Sequence, residues 1–219
     1  MRPLVALTVL ALLPSFASAD ESEASFMLEG GPAFLRVQEL HDVGSPTTIL
    51  GAGGAMALTY GLSDLVSLDL SVGGAMAKNA EYRDVMIDET TRGNVIQDAL
   101  SLRAMTGITL RFGARWIPTL GVHVGYQRHM LSNAVLWRDP DVLLDGDLAD
   151  RSENDLLAAG SVGLELRLNR HWLVGLSAQL TYGYGLGGNT LVALELPFRV
   201  TYSFYPGWFR STRITRFED

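Results

Sequence analysis

The stretch "GLELRLNRHWLVGLSAQLTY", Gly163 to Tyr182, decides how this chain is read. Leucines alternate with Glu165, Arg167, Ser177 and Gln179 on either side of the polar interruption "NRHW", the pattern of two strands joined by a tight turn. Two arrangements satisfy it. In a soluble domain the leucines form the core and the charges meet water, whereas in a membrane barrel the leucines face lipid and Glu165 and Arg167 turn inward as interior partners. A slip of one residue exchanges the two faces, so the choice rests on the rest of the chain.

Period-2 alternation marks eight candidate strands: Ser25 to Val37, Thr48 to Tyr60, Leu65 to Lys78, Asp98 to Phe112, Ile117 to Gln127, Leu156 to Leu168, Leu173 to Tyr184 and Thr190 to Phe204. Most are longer than the roughly five or six residues of a soluble strand. They meet the about 9 to 11 residues that a tilted strand needs to cross a bilayer. The connections alternate in length. "GLSD", "GARW" and "NRHW" are short, whereas "QELHDVGSP", Asn79 to Gln97, Arg128 to Asp155 and "GLGGN" are longer or glycine-rich. Tight turns at one end and long loops at the other are the habit of outer-membrane barrels. Tyr60, Phe112, Trp116, Trp172 and Tyr205 fall at the tight-turn end and Tyr82, Tyr126 and Tyr184 towards the other, as two interfacial girdles require.

Sorting by parity separates the faces. One is apolar and free of charge: Leu68, Leu70 and Val72, then Leu120, Val122 and Val124, then Leu164 and Leu166, then Leu176 and Leu180, and finally Leu194 and Leu196. The other carries Glu29, Asp69, Arg103, Arg111, His123, Glu165, Arg167, Gln179, Glu195 and Arg199 among Gly, Ser, Thr and Ala. Four acids face four arginines, and Lys78 is the only lysine within the candidate strands. A solvated surface favours lysine. A crowded interior favours arginine, whose planar fork satisfies two carboxylate oxygens at once. Eight strands enclose a space that side chains can fill, and a charge buried there without its partner would cost several kcal/mol.

The ends and composition set the compartment. "MRPLVALTVLALLPSFASAD" has Arg2, an apolar run from Leu4 to Leu13 and small residues at Ala17 and Ala19, which reads as a signal peptide over residues 1–19. The run is shorter than the roughly 20 residues of a spanning helix. Residues 20–205 then read as one barrel domain, and 206–219 as a short periplasmic tail. Without Arg2 the chain keeps 16 basic against 24 acidic side chains, a net charge of -8 that argues against nucleic acid. There is no cysteine, so neither disulfides nor a lipid-modified cysteine is expected. No later segment has about 18 consecutive apolar residues, so any membrane crossing must be made by strands.

These features together, with short turns of the "YGLSDL" and "LNRHWLVG" kind and a last strand "ELPFRVTYSF", resemble the small eight-stranded outer-membrane barrels of Gram-negative bacteria, the group of the OmpA transmembrane domain and the OmpX/Ail proteins. The resemblance covers about Ser25 to Phe204. It implies an all-β, eight-stranded, antiparallel up-and-down transmembrane β-barrel with both ends in the periplasm, outer-membrane lipids and lipopolysaccharide as surroundings, and the barrel-assembly machinery as partner in biogenesis. Val200, Tyr202 and Phe204 alternate as in the terminal signal which that machinery reads. The chain departs by running fifteen residues past Phe204. No OmpA-type peptidoglycan-binding domain follows.

The residues support little catalytic chemistry. A lipid A deacylase of this architecture has His and Ser two apart on one strand, but here His123 is followed by Gly125, His129 by Leu131 and His171 by Leu173. No cofactor is expected. Asp139, Asp141, Asp145 and Asp147 crowd one long loop and are weak candidates for a divalent cation, off the EF-hand spacing and more simply a solvated acidic loop. The leading expectation is an outer-membrane barrel, filled by a polar network and acting in membrane structure or surface interaction. A narrow channel for small solutes is the alternative, followed by an exported soluble β-barrel or sandwich binder and a lipid-modifying enzyme.

Overall fold

Eight strands, each hydrogen-bonded to the next and the last to the first, close into a ring in the computed structural model, which describes residues 23–38, 48–86, 92–138, 142–143, 151–185 and 190–204. They are β1 (Ala24–Gln38), β2 (Thr48–Gly61), β3 (Val66–Met86), β4 (Arg92–Arg111), β5 (Trp116–Arg138), β6 (Arg151–Arg167), β7 (Trp172–Gly185) and β8, which runs in two halves, Thr190–Glu195 and Phe198–Phe204. All pairings are antiparallel, and a two-residue strand, Val142–Leu143, pairs with Trp137 and Arg138 at the end of β5. The expected leader, the C-terminal tail, Tyr205 and the loop acids Asp139, Asp141, Asp145 and Asp147 lie outside the described residues.

The register determines the shape. Partner leads to partner from Ala24 through Tyr60, Leu68, Ile108, Val122, Gly160, Leu180 and Leu194, and returns to β1 at Phe34. That stagger, from residue 24 to residue 34, tilts eight strands by about 40° to the barrel axis. The ten residue steps from Trp116 to Tyr126 on β5 therefore rise about 25 Å, the height of an apolar belt.

The sequence dictates which face is which. Leu70, Val72, Val122, Val124, Leu164, Leu176 and Leu180 all point outward and are exposed, while the small and charged residues of opposite parity are enclosed. A soluble domain would not leave so large a contiguous apolar surface open. The turns follow from local chemistry: Asn169 Oδ1 accepts from the backbone N–H of His171 (2.9 Å) and of Trp172 (3.0 Å), folding "NRHW" back on itself. In the turn between β2 and β3, Ser63 Oγ accepts from the N–H groups of Leu65 and Val66.

Pro197 interrupts β8 without shifting it, since the pairs Gly30 with Phe198 and Ala33 with Glu195 keep one register. Its carbonyl still accepts from Ser177 N–H at 3.1 Å, but its ring nitrogen returns no bond. Opposite it, Gly31 allows the close approach, because a Cβ there would stand 2.5 Å from the Leu196 carbonyl oxygen. At "GGP", Gly30 to Pro32, the β1–β2 register has no bulge and runs unbroken from Ala24 to Arg36.

β3, β4, β5 and β6 are longer than their alternation suggested. Asn79 and Asn133 adopt positive φ, 53° and 55°, at register shifts on β3 and β5 that put two residues opposite one of β4. Each bulge inverts the parity of its strand, so the alternation breaks off there although pairing continues. Asp98, between the two bulges, accepts from Asn133 Nδ2 (3.1 Å) and from Asn79 N–H (3.1 Å). It lies six residues beyond Ala104, the partner of Tyr126, and so above the apolar belt.

These two hydrogen bonds, first that of Asn133 and then that of Asn79, hold the Asp98 carboxyl below its ordinary value, with Lys78 adding a smaller pull. A depressed carboxyl contributes stability above the unfolded pKa of about 3.9, and that contribution is lost as pH falls through the lower folded value. Amide exchange in the outer parts of β3, β4 and β5 is expected to be flat from about pH 8 to 5 once corrected for intrinsic rates, and to accelerate below about pH 4. Asp98→Ala should show the faster exchange at every pH, with the belt region unchanged.

Candidate functional site: the barrel interior

Every strand contributes inward side chains, and the stagger brings together residues that are remote in sequence. The nine ionisable residues of the polar face, Glu29, Asp69, Arg103, Arg111, His123, Glu165, Arg167, Glu195 and Arg199, point inward with Gln179 and are buried or nearly so. Glu165 is the hub. Its Oε2 accepts from Arg111 Nη2 at 2.8 Å and its Oε1 from Arg199 Nη1 at 3.3 Å. Arg199 also reaches Glu29 Oε2 through Nη2 (3.0 Å) and Nε (3.2 Å), and Ser177 Oγ at 3.3 Å.

Higher in the barrel, Arg103 and Glu195 form a bidentate pair, with Nη1 on Oε1 and Nη2 donating to Oε2 at 2.7 Å. Asp69 Oδ2 accepts from Thr109 Oγ1 and faces His123 Nε2 at 3.3 Å. At the tight-turn end Arg167 Nη2 stands 3.6 Å from Glu23 Oε2, and Ser25 Oγ, which donates to Glu23 Oε1 at 3.4 Å, lies 3.0 Å from Ser203 Oγ.

One sequence expectation is corrected here. Glu165 and Arg167 are both interior, but they do not pair with each other. Residues two apart on one strand face stand about 7 Å apart, while the stagger brings Arg111 and Arg199 to Glu165 and Glu23 to Arg167. Glu23 precedes the first expected strand, and its role had no signal in the alternation.

The interior is also less uniformly polar than its charges suggested. At the long-loop end Leu35, Ile49, Leu131 and Leu191 pack with Val95 and several alanines into an inward apolar cluster. Leu157 joins Met105 and Ala159 in a second. These residues hold the same parity as the charges below them, and reading the inward face through to the strand ends would have found them. At the tight-turn end Ile117 and Leu173 are fully buried, together with the polar residues Glu23, Ser25, Ser67 and Ser203. The result is a charge-paired chamber with apolar side chains at both ends.

The interface aromatics stand where the tilt requires. Trp116 and Trp172 are exposed at the tight-turn end, and Tyr60 is half-buried at the same end. Tyr126 and Tyr184 are exposed at the upper rim of the apolar belt. Tyr202 packs on Trp172 with ring centroids 5.0 Å apart and stacks on His171 at 5.6 Å, joining the last strand to the lower girdle. The backbone of Tyr82 lies in the outer part of β3, but its side chain is not described.

The chamber has room for little beyond its own side chains. A cavity of about 40 Å³ remains, lined by Glu29, Asp69, Arg111, His123 and Ser161 among others. Among the described residues no cluster of His, Asp or Glu could hold a metal ion.

No protein-family model matches this sequence, and no curated protein matches it. Solved structures do resemble it. Neisserial surface protein A superimposes with a TM-score of 0.56 at 12% identity, over 83% of this chain and 99% of that one. Ail, the attachment invasion locus protein of Yersinia pestis, solved in complex with the heparin analogue sucrose octasulfate, gives 0.51 at 14% identity over 84% and 99%. At such identities the likeness is one of fold: the chain has the architecture of the small eight-stranded outer-membrane barrels.

Proposed function

We propose that this protein is an integral outer-membrane barrel, closed through its interior, that acts in outer-membrane structure or surface interaction and conducts no solutes. The observation that carries the reading is the chamber. Four guanidiniums each meet a carboxylate inside the ring, and an apolar cluster fills its long-loop end. An ion would have to displace paired charges and then pass Leu35, Ile49, Leu131 and Leu191. The same filling leaves no space for an acyl chain beside His123, which argues against a lipid-modifying enzyme.

In this reading the tight turns, Ala24 and Phe204 lie at the periplasmic face, a leader over 1–19 directs export, and residues 206–219 extend into the periplasm. The exposed apolar belt contacts outer-membrane lipids, and Arg128 and Lys78, exposed above the outer girdle, stand at the level of lipopolysaccharide phosphates. The strand end Val200, Tyr202 and Phe204 suits recognition by the barrel-assembly machinery. Outside the membrane β3, β4 and β5 run on together past the ends of their neighbours, a platform on which an extracellular ligand could be met. Ail is known here with a sulfated sugar. The net charge of -7 on this chain does not favour a polyanion, and an uncharged or cationic surface fits better.

The deciding experiment is planar-bilayer recording of the folded protein. The expected result is the absence of stable unitary steps under conditions in which an open porin conducts. Reproducible steps that vanish on heat unfolding would overturn the closed reading in favour of a narrow channel. Detergent-only extraction and heat-modifiable migration should accompany the result, since an exported soluble binder shows neither.

A further inference from the structure

We infer that the tight-turn end of the barrel carries a binding site for the headgroup of an anionic phospholipid, built by Arg115 and Arg170 on the neighbouring turns "GARW" and "NRHW". The inference rests on the reading of these turns as periplasmic, where they meet the phospholipid leaflet of the outer membrane. Arg103, Arg111, Arg167 and Arg199 each meet a carboxylate inside the ring. Arg115 and Arg170 are instead exposed, and no carboxylate among the described residues pairs with either. On a chain with a net charge of -7, two cations at one end are a local feature and not a consequence of composition.

The backbone fixes where these cations stand. Arg167 N–H donates to the Arg115 carbonyl at 2.8 Å, which ties the β4–β5 turn to the strand that enters "NRHW". That second turn is closed by Leu168 N–H donating to the Trp172 carbonyl at 2.9 Å and by the two bonds that Asn169 Oδ1 accepts. Arg115 and Arg170 are thus held on adjacent hairpins, about two strand spacings or about 10 Å apart at the backbone. Extended arginine side chains can close that span on one phosphate.

Depth and charge select the ligand. Trp116 and Trp172, 59% and 44% exposed, set the level at which amphipathic rings meet the headgroup region. Arg115 stands one residue beyond Trp116 and Arg170 two beyond Trp172, so the cations lie about 3–7 Å further out, at the level of phosphates. Leu164, Leu168 and Leu176 are exposed on the second hairpin, where acyl chains pack. The planar guanidinium fork matches phosphate oxygens. A zwitterionic lipid would bring its ammonium to a surface that exposes Arg115, Arg170 and His171, on two turns that have no acid. The tight turn between β2 and β3 is the reverse, since Asp64 is exposed there and is its only ionisable residue. The site therefore belongs to one side of the ring.

The site is tested by titrating dihexanoyl phosphatidylglycerol into the protein folded in an uncharged maltoside detergent and following the indole N–H signals by NMR. Trp116 and Trp172 are expected to shift saturably, and Trp137, at the outer end of β5, to stay in place. Each cation near an anionic headgroup contributes about fivefold in affinity, so Arg115→Gln with Arg170→Gln should weaken binding about 30-fold while migration on gels stays heat-modifiable. Where that variant does not assemble, each single replacement should cost about fivefold. Equal shifts with dihexanoyl phosphatidylcholine, or an affinity unchanged in the folded double variant, would overturn the proposal. Equally tight binding of glycerophosphoglycerol, which has the phosphodiester but no chains, would also overturn it, by making the ligand a free phosphate ester. Orientation is checked separately by Asp64→Cys, in a chain that has no cysteine of its own. It should react with a membrane-impermeant maleimide only after the outer membrane is permeabilised. Reaction in intact cells would remove the premise, whereas a failed titration with the cysteine protected would refute the site alone.

Discussion

Val122→Arg is expected to lower the folded fraction of the barrel by about 30- to 1000-fold, the consequence of about 2–4 kcal/mol for an arginine at the middle of the bilayer. Val122 is 65% exposed, four residues below Tyr126 and six above Trp116 on β5, so its side chain stands near the midplane of the belt. The same substitution at Leu156, which pairs with both Tyr126 and Tyr184 at the outer girdle, should cost only about 0–1 kcal/mol. Urea titrations of the two variants in lipid vesicles measure the difference. A depth-dependent cost is the signature of lipid, because water would tolerate both arginines and a protein core would reject both. Equal costs at the two depths would count against the membrane-spanning arrangement.

Glu165→Gln should destabilise the folded barrel by about 3–5 kcal/mol, because it leaves Arg111 and Arg199 buried beside an uncharged amide. Replacing a whole pair should behave differently. In Arg103→Met with Glu195→Leu both charges disappear from a site where each side chain is almost fully enclosed, and the expected change is near zero or a gain of about 1–4 kcal/mol. Denaturant midpoints in one detergent rank the two. A smaller loss for Glu165→Gln than for the double variant would show that the network is solvated, and would reopen the channel reading that planar bilayers test directly.

Much of this molecule was legible in one dimension. Alternation between Gly163 and Tyr182 marked a hairpin, and the arginine-rich, lysine-poor face marked an interior. The segregation of "GLSD", "GARW" and "NRHW" from the long connections marked which end was which. These are local properties: strand parity, turn chemistry and residue type are decided within a few neighbours. The positions of Trp116, Trp172, Tyr126 and Tyr184 at the two rims followed from the same spacing.

Pairing was not legible. Arg103 meets Glu195 across 92 positions, and Arg199 meets Glu29 across 170. Which charges meet depends on the ten-residue stagger that closing the ring imposes, and no local pattern encodes it. The bulges at Asn79 and Asn133 hid the outer parts of β3 and β5, because one extra residue inverts the alternation by which a strand is recognised. The sequence alone determined that there would be strands, how many, and which face each turns to lipid. Only the closed ring decided that Glu165 would bridge two arginines, that Leu35 and Leu191 would seal the outer end, and that Asp69, His123 and Arg111 would share a chamber. Those meetings depend on where the tilted strands bring distant residues to one height, which is a property of the whole barrel.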